Sequence, residues 1–286
     1  MTIDYDALKR WQFPVQRMPY SAKDSILYAL SVGYGADSLD AADLRFVYEQ
    51  DQKVVPSLMT VLGAPGAWAA DPRTGITRRM ILHGEHRMTV HGGLRPAGRL
   101  RSDTRIARLI DKGPNRGALV VTERRITDEA DGAMLATIEH TSFCRADGGL
   151  GRSDEPSPPL PATPSTPEDF VFTQPTPLSA ALLYRLNGDL NPIHADPAAA
   201  KAVGFDRPIL HGLCTFGIAT RAVLKTCCGD DPARLKSLGL RFSAPFYPGE
   251  TLRVSLWRRG STVHFNAYAA ERHIAVLTHG VATVED

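Results

Sequence analysis

HGLCTFGIATRAVLKT, residues 211–226, reads as a helix with apolar side chains around most of its circumference: Leu213, Phe216, Ile218, Ala219, Ala222, Val223 and Leu224. A helix without a polar face has to be enclosed. The residues after it supply the enclosure. GLRFSAPFYPGETLRVSLWR (239–258), TVHFNAYAAER (262–272) and AVLTHGVATV (275–284) are β-prone runs at short spacing, the first broken by a Pro248-Gly249 turn. Runs joined so closely are antiparallel, because a parallel pair needs a long crossover. The expected architecture is α+β, an antiparallel sheet curled around one central helix.

The same pattern stands upstream. HRMTVHGGLRPAGRLRSDTRIAR (86–108) turns at Pro96-Ala97-Gly98, and GALVVTERRIT (117–127) and AMLATIEHTSFCR (133–145) follow. The chain therefore reads as a duplicated α+β unit. SAKDSILYALSVG (21–33) and LSAALLYRLN (178–187) are counterpart helices; the second sets Leu178, Ala181, Leu182 and Leu186 on one face and stops at Gly188. PAAAKAV (197–203) is a short helix opened by proline. PSLMTVLGAPGAWAA (56–70) stands where the first half would have its central helix, and Gly63, Pro65 and Gly66 make it a poor one. Leu82-His83-Gly84 resembles Leu210-His211-Gly212 but lies much nearer its proline turn, so the match is read as coincidence.

GRSDEPSPPLPATPSTPE (151–168) carries prolines at 156, 158, 159, 161, 164 and 167. Each removes a backbone donor and fixes φ, so the stretch reads as an extended linker. It divides the chain into 1–150, the linker 151–168, and 169–286.

Composition narrows the function. The 286 residues include 33 Lys plus Arg and 31 Asp plus Glu, a net charge of +2. No global field attracts nucleic acid or an anionic membrane. Four cysteines, Cys144, Cys214, Cys227 and Cys228, are too few for a disulfide scaffold. No apolar run reaches ~18 residues, the start MTIDYDALKRWQF has no signal-peptide stretch, and the end ATVED is no targeting address. A reduced cytoplasm is expected.

The densest polar cluster is YRLNGDLNPIHADP (184–197), between two helices, with Asp189, Asn191, His194 and Asp196. Gly188 and Asn191-Pro192 force a tight turn that can aim Asp189, Asn191 and His194 at one point. A carboxylate and an imidazole so placed can share a water. GFDRPILHGLCTFG (204–217) follows, with His211 and Gly212 opening the apolar helix. Its first turn has backbone N–H groups without intrahelical partners, and glycine lets a ligand carbonyl approach them. Taken singly, Asp189 reads as a helix cap, His194 as a surface histidine and Gly212 as a packing residue; in combination they read as a site. Other readings are weaker. His194, Asp196, His211 and Cys214 lack metal-ligand spacing, and Cys214 lies on an apolar helix. Gly33-Tyr34-Gly35 is a turn. Arg95, Arg99, Arg101 and Arg105 alternate as on one strand face, which is expected to be solvated.

YRLNGDLNPIHADPAAAKAVGFDRPILHGLCTFG closely resembles the signature of the MaoC-like, (R)-specific type 2 enoyl-CoA hydratases. The first half, including ILHGEHRM and LIDKGPNRG, resembles the non-catalytic N-terminal domain of two-domain members. The resemblance implies a double hotdog fold and reversible hydration of a trans-2-enoyl-CoA to a (3R)-3-hydroxyacyl-CoA. It implies Asp189 and His194 as the pair that activates water, Asn191 as the residue completing the site, and Gly212 as the oxyanion donor. The matched motif also offers Tyr184, His211 and Phe216 as substrate contacts. The coenzyme A thioester is the substrate, and no metal or further cofactor is expected. The first half lacks GDxNPxH, which fits a domain that houses the acyl tail. A homodimer is expected. A hydratase for branched or dicarboxylic acyl-CoA, an acyl-CoA thioesterase and a non-enzymatic acyl-CoA-binding subunit stay open.

Overall fold

Burial alternates residue by residue along Thr262–Ala269, with Val263, Phe265, Ala267 and Ala269 turned inward. That is the period of a strand packed on one face. Nine more strands join it in a computed structural model that describes residues 3–285; residues 1, 2 and 286, the outermost of the predicted units, lie outside the described residues. In chain order the first half contains α1 (Tyr5–Lys9), β1 (Gln16–Tyr20), α2 (Ala22–Ser31), α3 (Ala41–Val47), β2 (Ile81–Val90), β3 (Gly98–Asp111), β4 (Ala118–Asp128) and β5 (Met134–Cys144). The second contains β6 (Phe170–Pro175), α4 (Ala180–Tyr184), α5 (Pro197–Ala202), α6 (Gly212–Cys227), β7 (Leu235–Phe242), β8 (Thr251–Arg259), β9 (Thr262–Ala269) and β10 (Ile274–Val284).

The strands form one antiparallel sheet in the order β1-β3-β4-β5-β2-β7-β10-β9-β8-β6. The second five repeat the order of the first five in reverse. Strands β2 and β7 are therefore equivalents, and they join the halves through pairs from Glu85↔Arg241 to Thr89↔Ser237. This is the expected α+β double hotdog. Helix α6 is enclosed as its sequence requires: Phe216, Ile218, Ala219, Ala222, Val223 and Leu224 are all buried. Each large side chain among them contributes about 1.5–3 kcal/mol relative to exposure.

Two expectations need correction. The first half has no central helix: residues 56–70 form a 3-10 turn over Pro56–Thr60, irregular chain, and a second 3-10 turn over Trp68–Ala70. Gly63 takes a left-handed φ of 62° that ends the turn. The carbonyls of Met59, Thr60 and Leu62 accept instead from the buried Arg124 guanidinium, at 3.1, 2.5 and 2.6 Å. The second correction concerns α4. Leu178, Leu182 and Leu186 are 79, 54 and 59 % exposed, and the buried face is Ala180, Ala181 and Tyr184. Tyr184 packs against Tyr28 of α2 (ring centroids 6.1 Å apart), and the alanines allow that close approach.

Residues 151–169 carry no helix or strand but are held to the sheet. Pro158 O accepts from Arg87 (2.7 Å), Thr166 O accepts from the Trp257 indole (2.7 Å), and Leu160 is buried. A buried ion pair ties the halves together: Arg221 of α6 meets Asp43 of α3 at 2.6 Å, with side chains 6 and 1 % exposed. Arg221 also bonds Gln174 of β6, and Lys225 bonds Asp40 and Asp43. Removing one partner of such a pair strands the other charge, so Asp43→Ala is expected to cost about 3–5 kcal/mol. Urea unfolding measures it; a cost under about 1 kcal/mol would show that Arg221 finds water or another acceptor.

Candidate active site

The turn after α4 is built from its own sequence. Gly188 adopts φ 115° and ends the 3-10 turn Arg185–Asn187. Asp189 then accepts from Asn191 N at 3.1 Å, and Asn191 accepts from Ile193 N at 3.4 Å. These side chain-to-backbone bonds two residues on fold the segment tightly. Asp196 caps α5 through Ala198 N and faces solvent, away from the cluster's chemistry.

His194 is buried, and its Nδ1 lies 2.8 Å from Ile209 O. A carbonyl only accepts, so Nδ1 carries the proton and Nε2 presents a lone pair. His211 Nε2 lies 3.1 Å from the backbone carbonyl of Asp189. By the same argument Nε2 donates, and His211 fixes the Asp189 turn. One side-chain nitrogen or oxygen from each of Asp189, His194 and His211 lies within 4.8 Å of the other two. Burial pushes His194 below the ordinary histidine range, against the Ile209 bond and Asp189. Burial, aided by His194, pushes His211 down to about 4, with Asp189 opposing. Both rings are neutral at neutral pH. They stack, centroids 3.7 Å apart and planes 23° apart. Lone pairs of stacked rings run side by side and do not converge, so the trio is poorly shaped for a metal ion.

Gly212 is the first residue of α6. The helix's earliest backbone donors, Cys214 N and Thr215 N, bond His211 O, so the N–H groups of Gly212 and Leu213 precede the ladder at the positive helix end. A β-carbon on Gly212 would lie 3.1 Å from the Phe242 ring and 3.5 Å from His83 Nδ1.

Neither His83 nor Phe242 is among the residues that the sequence marks for the site. The ladder between β2 and β7 ends at Glu85↔Arg241, one residue short of Phe242 and two short of His83. The β2–β5 register shifts between His83 and Glu85, and a β-carbon on Gly84 would sit 3.1 Å from Thr141 O. Such a bulge re-aims a side chain. His83 is exposed, yet desolvation lowers its pKa, with Asp189 opposing and His194 adding. The Leu-His-Gly repeat is thus no duplicated site, but it brings His83 against Gly212, beside His211. The signal available in the sequence was a glycine inside a strand beside a histidine.

The other residues of the motif are placed as follows. Tyr184 is buried, its ring 5.0 Å from His211. Phe216, one turn beyond Gly212, is enclosed in the core, edge-on to His86 at 4.8 Å. Burial raises the Cys214 thiol far above its ordinary value. Arg95, Arg99, Arg101 and Arg105 each meet a carboxylate: Asp128, Glu129, Asp103 and Glu123.

Comparison with known proteins agrees with this layout. The MFE-2 hydratase 2 N-terminal domain matches residues 18–146 and the MaoC like domain matches residues 159–279. Enoyl-CoA hydratase ChsH3 of Mycobacterium tuberculosis is 34 % identical over 289 residues, 99 % of each chain. The peroxisomal multifunctional enzyme type 2 of Mus musculus is 34 % identical over 91 % of this chain, which spans only 36 % of that protein's length. The crystal structure of a MaoC-like dehydratase from Phytophthora capsici superposes with a TM-score of 0.88 at 32 % identity, covering 99 % of each chain. With two adjoining domain matches and an end-to-end relative, the chain belongs to the MaoC-like dehydratase family.

Proposed function

We propose that the chain catalyses the reversible hydration of trans-2-enoyl-CoA to (3R)-3-hydroxyacyl-CoA. What supports this reading is the grouping of Asp189, His194 with its bare Nε2, and His211, the residue directly before the helix start at Gly212. Water held between Asp189 and His194 Nε2 loses a proton as its oxygen adds to C3. Negative charge moves to the thioester oxygen, where the Gly212 N–H stabilises it; losing such a donor costs about 10²–10³ in rate. The proton returns to C2, so the site needs no redox partner. Asn191 supports Asp189 through its N–H, and Tyr184 and His211 pack behind the pair.

The test is a set of trans-2-enoyl-CoAs followed by loss of enone absorbance, with the product's configuration determined. A (3R) product supports the reading. Release of free coenzyme A without hydration would make the chain a thioesterase.

We further propose a homodimer in a reducing, cytoplasmic setting. The exposed row Leu178, Leu182, Leu186 and Leu190 supports self-association, and four free cysteines support the compartment. Among the described residues no helix is long and apolar enough to cross a membrane. Some relatives carry peroxisomal names, so cell fractionation decides the compartment. Sedimentation at micromolar concentration decides the dimer; a single species of 31.1 kDa would refute it.

A further inference from the structure

A wall that receives a plain hydrocarbon tail should be apolar, because a buried polar group without a partner costs about 1–3 kcal/mol. The first half departs from this. Three imidazoles stand in a row on its side of Gly212. His83 comes first, beside Gly212. His140 of β5 follows, its ring edge-on to His83 with centroids 4.7 Å apart. His86 of β2 is last, its Nδ1 3.2 Å from Nδ1 of His140. Exposure falls along the row: His83 is open, His140 is half-buried and His86 is 2 % exposed. The row therefore runs inward from Gly212, the direction this inference gives the acyl chain, with the coenzyme left at the surface.

The row also has unused hydrogen-bonding capacity. Two ring nitrogens at 3.2 Å share one proton, so one ring donates and the other accepts. His86 Nε2 is fully buried without a partner. His83 and the second ring nitrogen of His140 make no hydrogen bond among the described residues. The row ends against Phe216, so it is no proton wire to solvent. Arg124 lies behind it, committed to three carbonyls.

We propose that this row reads an oxygen on the acyl chain, so that the preferred substrate is a trans-2-enoyl thioester bearing a hydroxyl or keto group beyond the double bond, with His140 as the specificity-determining residue. The inference rests on the hydratase reading above. A neutral oxygen suits the row better than a carboxylate. Burial and Arg124 disfavour the charged imidazoles, holding His86 at about 3, and a carboxylate there would lack a free cationic partner.

The experiment compares kcat/KM for eight-carbon trans-2-enoyl-CoAs that are plain, hydroxylated, keto-substituted at successive inner positions, or ω-carboxylated. Wild-type enzyme is expected to favour the best hydroxyl or keto substrate at least about tenfold over the plain chain, since a site built to bond an oxygen discriminates against its absence. His140→Phe should bring that ratio toward one, and His140→Gln, which keeps a donor and an acceptor, should retain part of it. A wild-type ratio near one overturns the proposal. So does an equal loss on every thioester in His140→Phe, which would place the row against the coenzyme, and so does a preference for the carboxylated chain. If His140→Phe does not fold, the wild-type ratio and His140→Gln decide. Failure of the hydratase reading looks different: no thioester, crotonyl-CoA included, would lose its enone absorbance.

Discussion

Asp189→Asn and His194→Ala are each expected to lower kcat for crotonyl-CoA hydration by about 10²–10⁴, the range for a positioned acid–base group. The two substitutions act differently. Asparagine keeps an oxygen that can accept from Asn191 N, so the turn survives while the group that takes a proton is lost. Asp189 is also exposed, so the variant's unfolding free energy should stay within about 0.5 kcal/mol of wild type. Alanine at 194 removes the Nε2 lone pair and leaves Ile209 O without its donor, adding a stability cost of about 1–3 kcal/mol. Asp189→Asn is therefore the cleaner test. Because the pair acts on water and not on the coenzyme, kcat should fall with KM little changed. A loss under tenfold in Asp189→Asn would take that carboxylate out of the chemistry.

What the sequence made legible follows from how local each feature is. The enclosure of α6 could be read because Phe216, Ile218, Ala222 and Val223 leave no polar face, and the meander because its turns carry Pro and Gly at short spacing. The turn holding Asp189 and His194 could be read because its bonds span two residues. His83 could not. It reaches Gly212 only because β2 bulges at Gly84 and parts from β7 beyond Glu85, and that register joins residues over 150 positions apart. The stripe of α4 misled for a related reason. Leucines at i, i+4 and i+8 look like a core face, but the close packing of Tyr184 on Tyr28 turns the alanines inward instead. Residues 56–70 failed as a helix where Gly63 and Pro65 predicted weakness, and Arg124 satisfies the carbonyls left over, a partner some 60 positions away.

Acidification below about pH 6.5 is expected to destabilise this protein well before its carboxylates titrate. His86, His140, His194 and His211 are all held below the ordinary histidine range, chiefly by burial, His86 at about 3 and His211 at about 4. In the unfolded chain each regains a pKa near ~6.5. Below that value the unfolded state binds protons that the folded state refuses, so stability falls as pH falls. The contribution is complete above about pH 6.5 and is lost progressively down to the folded values. Each ring can remove up to about 1.4 kcal/mol per pH unit across that window. Ion-paired carboxylates such as Asp154, held at about 2, add their losses only below about pH 5, where unfolded carboxyls begin to protonate. The interval from pH 6.5 to 5 therefore isolates the histidines. Urea unfolding at pH 7.5 and 5.0 should show a lower midpoint at pH 5.0 with an unchanged m-value, and His211→Gln should flatten the dependence by about one proton. Equal midpoints at the two pH values would mean that the rings take up protons inside the fold. His194 would then be charged at pH 5.0 and could not accept a proton from water there, so the hydration rate should fall between the same two pH values.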